Sequence, residues 1–163
     1  MDDTGVEWLD PTQQRDWRAL VIGTTLLFDR LDDELTRSFG VSLTEYEILV
    51  RLSESENRRL RMAHLADALA HSRSRVTHTV GRLEKLHLVE RIRSPEDGRG
   101  IVCAMTDSGF ALLEAMAPIH VQGVRGHLVD LVDPDDFAAM GRVMNAVADH
   151  LIGAHPEREI RGL

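Results

Sequence analysis

The feature that most restricts the fold of this chain lies between His71 and Gly109, where a polar helix pattern runs without a linker into a hairpin pattern and then into a new helix start. Ser72 stands where an N-cap is needed, and the apolar residues Val76, Val80, Leu83 and Leu86 fall within about 120° of arc at the helical period. The opposite face carries Ser74, Arg75, His78, Arg82 and Lys85. Val89 to Ser94 and Ile101 to Met105 have the β-branched content of strands, and the run from Pro95 to Gly100 between them is a hairpin tip with glycines at 98 and 100, from which Arg99 projects. Thr106 can cap the helix that follows. A helix with one narrow apolar stripe needs another layer beneath that stripe, so the neighbouring segments have to supply it.

Upstream, Met62, Leu65, Ala66 and Leu69 give a two-turn helix, separated from the polar one by about three residues, which is the spacing of a helix-turn-helix. With the hairpin behind it, the whole becomes a winged helix-turn-helix. Ser42 to Glu45 and Thr44 to Glu47 are overlapping capping boxes for a short helix carrying Ile48, Leu49 and Leu52, and 58–61 is a polar connection that can form a short strand. Asp10, Pro11 and Gln13 start a first helix of close to thirty residues ending at Gly40. A fifth helix carries Phe110, Leu112, Leu113, Met116 and Ile119 onward to Leu131, with Pro118 expected to bend or interrupt it, and Asp133-Pro134 opens a sixth with Phe137, Met140, Val143, Met144, Val147 and Leu151. The expected fold is mainly α with a small β-wing: a winged helix-turn-helix core flanked by N- and C-terminal dimerisation helices. The expected division is a single unit over 1–163, with a DNA-binding lobe at 42–106 and a helical dimerisation region at 10–40 and 107–155. The apolar stripes of the first, fifth and sixth helices exceed what one chain of this size needs to cover itself, which points to a homodimer.

The net charge of -8 argues against a nucleic-acid partner until its distribution is considered. From Arg58 to Arg99 ten Lys+Arg stand against five Asp+Glu, so of the totals of 19 and 27 the rest of the chain holds nine and twenty-two. One basic segment with acidic flanks is the asymmetry expected when a single face meets an anionic polymer. Arg75, His78 and Arg82 suit base edges or phosphates, Ser72, Ser74 and Thr77 suit phosphates, and Arg73 and Arg93 belong to the same basic surface.

Other chemistries find little support. No Ser-His-Asp arrangement, phosphate loop or metal-hydrolase pattern occurs, so no catalytic residue, metal ligand or cofactor is expected, and the chain is not read as an enzyme. The one cysteine, Cys103, sits in a wing strand and reads as a packing residue rather than a redox sensor, and the eight histidines show no convergent carboxylate pair. Five acidic residues within Met1 to Leu20 and the lack of a long apolar run argue against a signal peptide or membrane span, so a cytoplasmic protein is expected.

With these residues in hand, the chain resembles the MarR family of bacterial transcription regulators over roughly Trp17 to Leu151. The resemblance rests on Leu65 to Leu69, on Ser74-Arg75-Val76-Thr77, on Arg82 to Lys85 with Leu88 to Arg91, and on the wing, Pro95 to Arg99 followed by Met105 to Gly109. It implies an obligate homodimer on a pseudo-palindromic operator, acting as a repressor released by a small-molecule effector. It also implies that Arg99 enters the minor groove and that Asp97 holds its guanidinium. The family's ligands sit near the DNA-binding lobe, which suggests a pocket between the first, second and fifth helices with Arg18, Thr24 and Thr25 as polar lining. Two positions depart from the pattern: His78 stands where arginine is frequent, and His87 where glycine is usual before the wing. The alternative reading is a protein-interaction or architectural module that contacts DNA without specificity.

Overall fold

The computed structural model describes residues 5–94 and 100–153. Six helices and three strands follow the order α1 (Pro11–Phe39), α2 (Leu43–Glu54), β1 (Arg59–Arg61), α3 (Met62–Ala68), α4 (Arg73–Lys85), β2 (Val89–Arg93), β3 (Ile101–Met105), α5 (Asp107–His127) and α6 (Pro134–Gly153). The fold is mainly helical with a small antiparallel wing sheet of order β1-β3-β2, in which Val89 faces Met105 and Leu60 faces Cys103.

The helix starts are set by side chains. Asp10 accepts from the amides of Thr12 and Gln13, while Gln13 Oε1 accepts from the Asp10 amide. Of the two overlapping boxes before α2, the Ser42 and Glu45 pair is the one that caps the helix. Ser72 caps α4 and Thr106 caps α5, each accepting from the amide three residues on. Helix α5 continues through Pro118 without interruption and ends at His127, short of Leu131, which lies in a separate turn of 3-10 helix.

The helix ends use the left-handed conformation even without glycine. At α4 the Leu88 amide donates to Leu83 O and the His87 amide to Glu84 O, with His87 at φ 59°. The same 6→1 and 5→2 pattern closes α3 through Ala70 at φ 50°. His87 therefore takes the conformation glycine would have taken, at a cost of about 1 kcal/mol. Leu86 closes the helix instead of joining its stripe, and is 51% exposed.

Val76, Val80 and Leu83 are wholly buried against a centre formed by Ile48, Leu49, Leu52 and Leu65. Each such side chain contributes roughly 1.5–3 kcal/mol on leaving water. Leu31 and Leu35 of α1 and Leu113 and Met116 of α5 close this core from the other side. The remaining length of α1 and all of α6 have no buried residue.

Gly109, in the first turn of α5, is where the helix meets the wing. A Cβ there would run into the Leu88 carbonyl oxygen, which is main chain and cannot swing aside. Gly109→Ala is expected to cost about 1–3 kcal/mol by overpacking. Gly126→Ala meets nothing within 4 Å and is expected to be neutral or stabilising. Thermal melts of the two variants against wild type check both outcomes.

Candidate nucleic-acid interface

The exposed face of α4 is built by its own capping. Ser72, Arg73, Ser74, Arg75, Thr77, His78 and Arg82 are all exposed, while Val76, Val80 and Leu83 point into the core. Some of the hydroxyls are already engaged: Ser72 Oγ accepts from the Arg75 amide at 3.3 Å, and Thr77 Oγ1 donates to Arg73 O at 2.7 Å. Arg93 is exposed at the end of β2, and Asp97 and Arg99 lie outside the described residues. Arg61, Met62, Ala63, Arg73, Thr77, Gly100 and Ile101 surround a hollow of about 330 Å³ between the start of α3, the start of α4 and the wing root. Arg61 had no signal in sequence beyond its place in the basic run, because only the fold brings β1 beside α4.

Several of the segment's cations are held by carboxylates or rings. Arg58 lies 3.7 Å over the Phe110 ring and 3.4 Å from Asp107 Oδ1. Arg91 forms a fork on Glu84, with Nη2 at 2.6 Å and Nε at 3.0 Å from Oε2, while its amide donates to Oε1 at 3.2 Å. That fork ties the wing strand β2 to α4. Arg82 Nε stands 3.0 Å from Glu45 Oε1. Arg59, Arg73, Arg75 and Arg93 are exposed at the start of α4 and on the wing sheet, and Lys85 is exposed at the end of α4.

The histidines separate into different surroundings. His120 and His127 share a face of α5 but do not converge: the His120 ring lies 4.7 Å from Tyr46, and His127 Nε2 lies 2.8 Å from Glu34 Oε1. Burial lowers the pKa of both His120 and His71, and the nearby Arg75 lowers His71 further. Cys103 is buried in the wing sheet and its thiol is pushed up to about 12, chiefly by loss of solvent, which leaves almost no thiolate near neutrality. Among the described residues, no group of three or more His, Cys, Asp or Glu is placed to hold a metal ion, and no helix is long and apolar enough to cross a membrane.

A cavity of about 430 Å³ lies beside the core, lined by Tyr46, Glu47, Val50, Arg51 and Glu54 of α2, by Ala68 and Leu69 at the end of α3, and by His120. His120 Nδ1 is buried without a hydrogen-bond partner. Burial raises the Glu47 pKa, opposed by the nearby Arg51 and Arg75. Arg18, Thr24 and Thr25 are exposed along α1 and do not line this cavity, and Thr25 Oγ1 donates to Val21 O within its own helix.

A basic recognition helix over a buried stripe, a two-turn helix before it and a three-stranded wing behind it define the class of winged helix-turn-helix DNA-binding proteins. Comparison with known proteins gives the family. Residues 39–100 match the model of the MarR family. The chain is 40% identical to Sco3205 of Streptomyces coelicolor, a MarR family transcriptional regulator solved in complex with DNA, over 91% of this chain and 93% of that one, with a TM-score of 0.87. AbsC, a MarR family transcriptional regulator of the same organism, is 38% identical over 91% and 99% of the two chains, with a TM-score of 0.85. Among curated proteins, the transcriptional regulator PecS of Dickeya dadantii is 28% identical over 141 residues, 82% of each chain. The chain belongs to the MarR family, whose members regulate transcription.

The Arg91 fork holds the Glu84 carboxyl below the usual carboxylate range. A carboxyl depressed on folding contributes stability that is full above its unfolded value and is lost as pH falls through the folded one. Wild type is therefore expected to melt above Glu84→Gln at neutral pH, with the gap closing as pH falls below about 4. A gap unchanged between neutral and acidic melts would contradict the assignment.

Proposed function

We propose that this protein is a homodimeric, sequence-specific reader of double-stranded DNA that represses transcription at a pseudo-palindromic operator and releases it on binding a small molecule. The observation that carries this reading is the exposed face of α4 around Arg73, Arg75 and His78, in a chain 40% identical to a relative solved with DNA. Ser72, Ser74 and Thr77 meet phosphates beside them, and Arg93 continues the cationic surface along the wing. Arg99 enters an adjoining minor groove with Asp97 holding it, as the family resemblance implies. Arg82 lies on the same face.

The dimer rests on surfaces that one chain leaves uncovered. Trp17, Val21 and Phe28 of α1 are about half exposed, as are Val143, Val147 and Leu151 of α6, and no residue of α6 is buried. A second copy covering these stripes makes 10–40 and 107–155 the dimerisation region. A two-fold axis there sets two recognition helices about one DNA turn apart. The effector site is the cavity beside Tyr46 and His120, where an unpaired ring nitrogen and the half-buried Glu47 carboxyl offer a polar anchor within an aromatic wall. A ligand that favours one separation of the two lobes by a few kcal/mol is enough to switch occupancy.

Fluorescence anisotropy on the intergenic DNA preceding the gene, against scrambled duplex, tests the reading. Wild type is expected to keep a specificity ratio of about 10³ or more at physiological salt. Arg75→Ala combined with Arg99→Ala is expected to remove most of it. Equal binding of both duplexes by wild type, surviving only at low salt, would instead mark a non-specific architectural protein.

A further inference from the structure

Among the described residues, capping boxes open α1 and α2, and they differ in one respect. At α1 the box is completed by Gln13, a neutral amide, in an exposed setting. At α2 it is completed by Glu45, whose side chain is entirely buried. The cap itself asks only for an acceptor at that position, and Gln13 supplies one. A buried carboxylate costs more than an amide unless a cation accompanies it, so the charge at Glu45 has a use beyond the cap.

The two carboxylate oxygens are divided. Oε2 accepts from the Ser42 amide at 2.8 Å and from Ser42 Oγ at 2.9 Å, closing the box. Oε1 receives no directed hydrogen bond and faces Arg82 Nε at 3.0 Å, an ionic contact between the first turn of α2 and the recognition helix. The same end of α2 is tied to α1, because Asp32 Oδ1 accepts from the Leu43 amide at 2.7 Å. The start of α2 is thus a joint between the long N-terminal helix and α4. Were a phosphate to draw Arg82 away, Glu45 would be left as a charge with neither water nor counter-ion.

We infer that Glu45 is a positioning residue of the DNA interface: its buried carboxylate holds Arg82 as a strut that fixes the seating of α4 on α2, and Arg82 supports the reading face without contacting DNA. The inference rests on the DNA-reading function proposed above. It assigns Arg82 a different part from Arg75, two turns away on the same helix face, which meets the duplex directly.

The test compares Glu45→Gln, Arg82→Met, the double variant and Arg75→Ala on a duplex of the intergenic DNA preceding the gene, by anisotropy across a salt series, with circular dichroism confirming the folded fraction. Glu45→Gln keeps the cap in the form Gln13 already uses, and the double variant leaves no buried charge unpaired, so a folded protein is available even if one single variant is not. Each single variant is expected to weaken specific binding by about tenfold, and the double to lose no more than the weaker single, as coupled partners do. The slope of log affinity against log salt should stay at the wild-type value for all three, while Arg75→Ala lowers it by about one. Arg82→Met lowering the slope as Arg75→Ala does would make Arg82 a phosphate contact and overturn the inference. Additive losses, or wild-type binding by Glu45→Gln, would also overturn it. If Arg75→Ala itself leaves affinity and slope unchanged, the DNA-reading function fails instead.

Discussion

The structure depends on how α4 buries Val76, Val80 and Leu83. Those three side chains are wholly enclosed against α2 and Leu65, and their burial leaves the helix a single rotation about its axis. That rotation decides which residues face outward. Ser72, Arg73, Arg75 and His78 are exposed because the stripe is inside, and the wing then packs where the left-handed turn at His87 sends it. The exposed polar face of α4 is a by-product of core packing, made up of the residues the core leaves out.

Electrostatics refine what packing sets. Arg58, Arg91 and Arg82 are held within the fold, on Phe110 with Asp107, on Glu84 and on Glu45 respectively. These contacts join α5 to the approach to β1, the wing to α4, and α4 to α2, so the cations nearest the elements' junctions act as struts. The exposed cations lie at both ends of α4 and along the wing. An acidic chain can carry such a surface because its negative charge is concentrated outside the segment from Arg58 to Arg99.

Much of this was legible in the sequence, and the reasons divide by range. Caps at Asp10, Ser42, Ser72 and Thr106 are local, and all four form as their spacing implies. The period of Val76, Val80 and Leu83 is local too, but Leu86 continued that period in sequence and closes the helix in the structure, since periodicity carries no information about where a cap falls. The family resemblance is shared by chains matched over nine tenths of this one. Partners distant in sequence were not legible. Glu45 read only as a cap, and its pairing with Arg82 needs the tertiary crossing of α2 and α4. The cavity at Tyr46 and His120 likewise joins α2, α3 and α5, whereas Arg18, Thr24 and Thr25 lie along the exposed side of α1. Pro118 passes within α5 because one lost amide hydrogen bond on an exposed turn does not end a helix held at Leu113 and Met116.

We propose that a second copy closes the apolar stripes left open on α1 and α6, so that two recognition helices act together on DNA. Sedimentation equilibrium of the free protein and of its complex with the intergenic duplex measures this most directly. Twice the chain mass is expected in the free protein at micromolar concentration, and two chains on each bound duplex. A free monomer that loads onto the duplex one chain at a time, with no coupling between the two events, would contradict it.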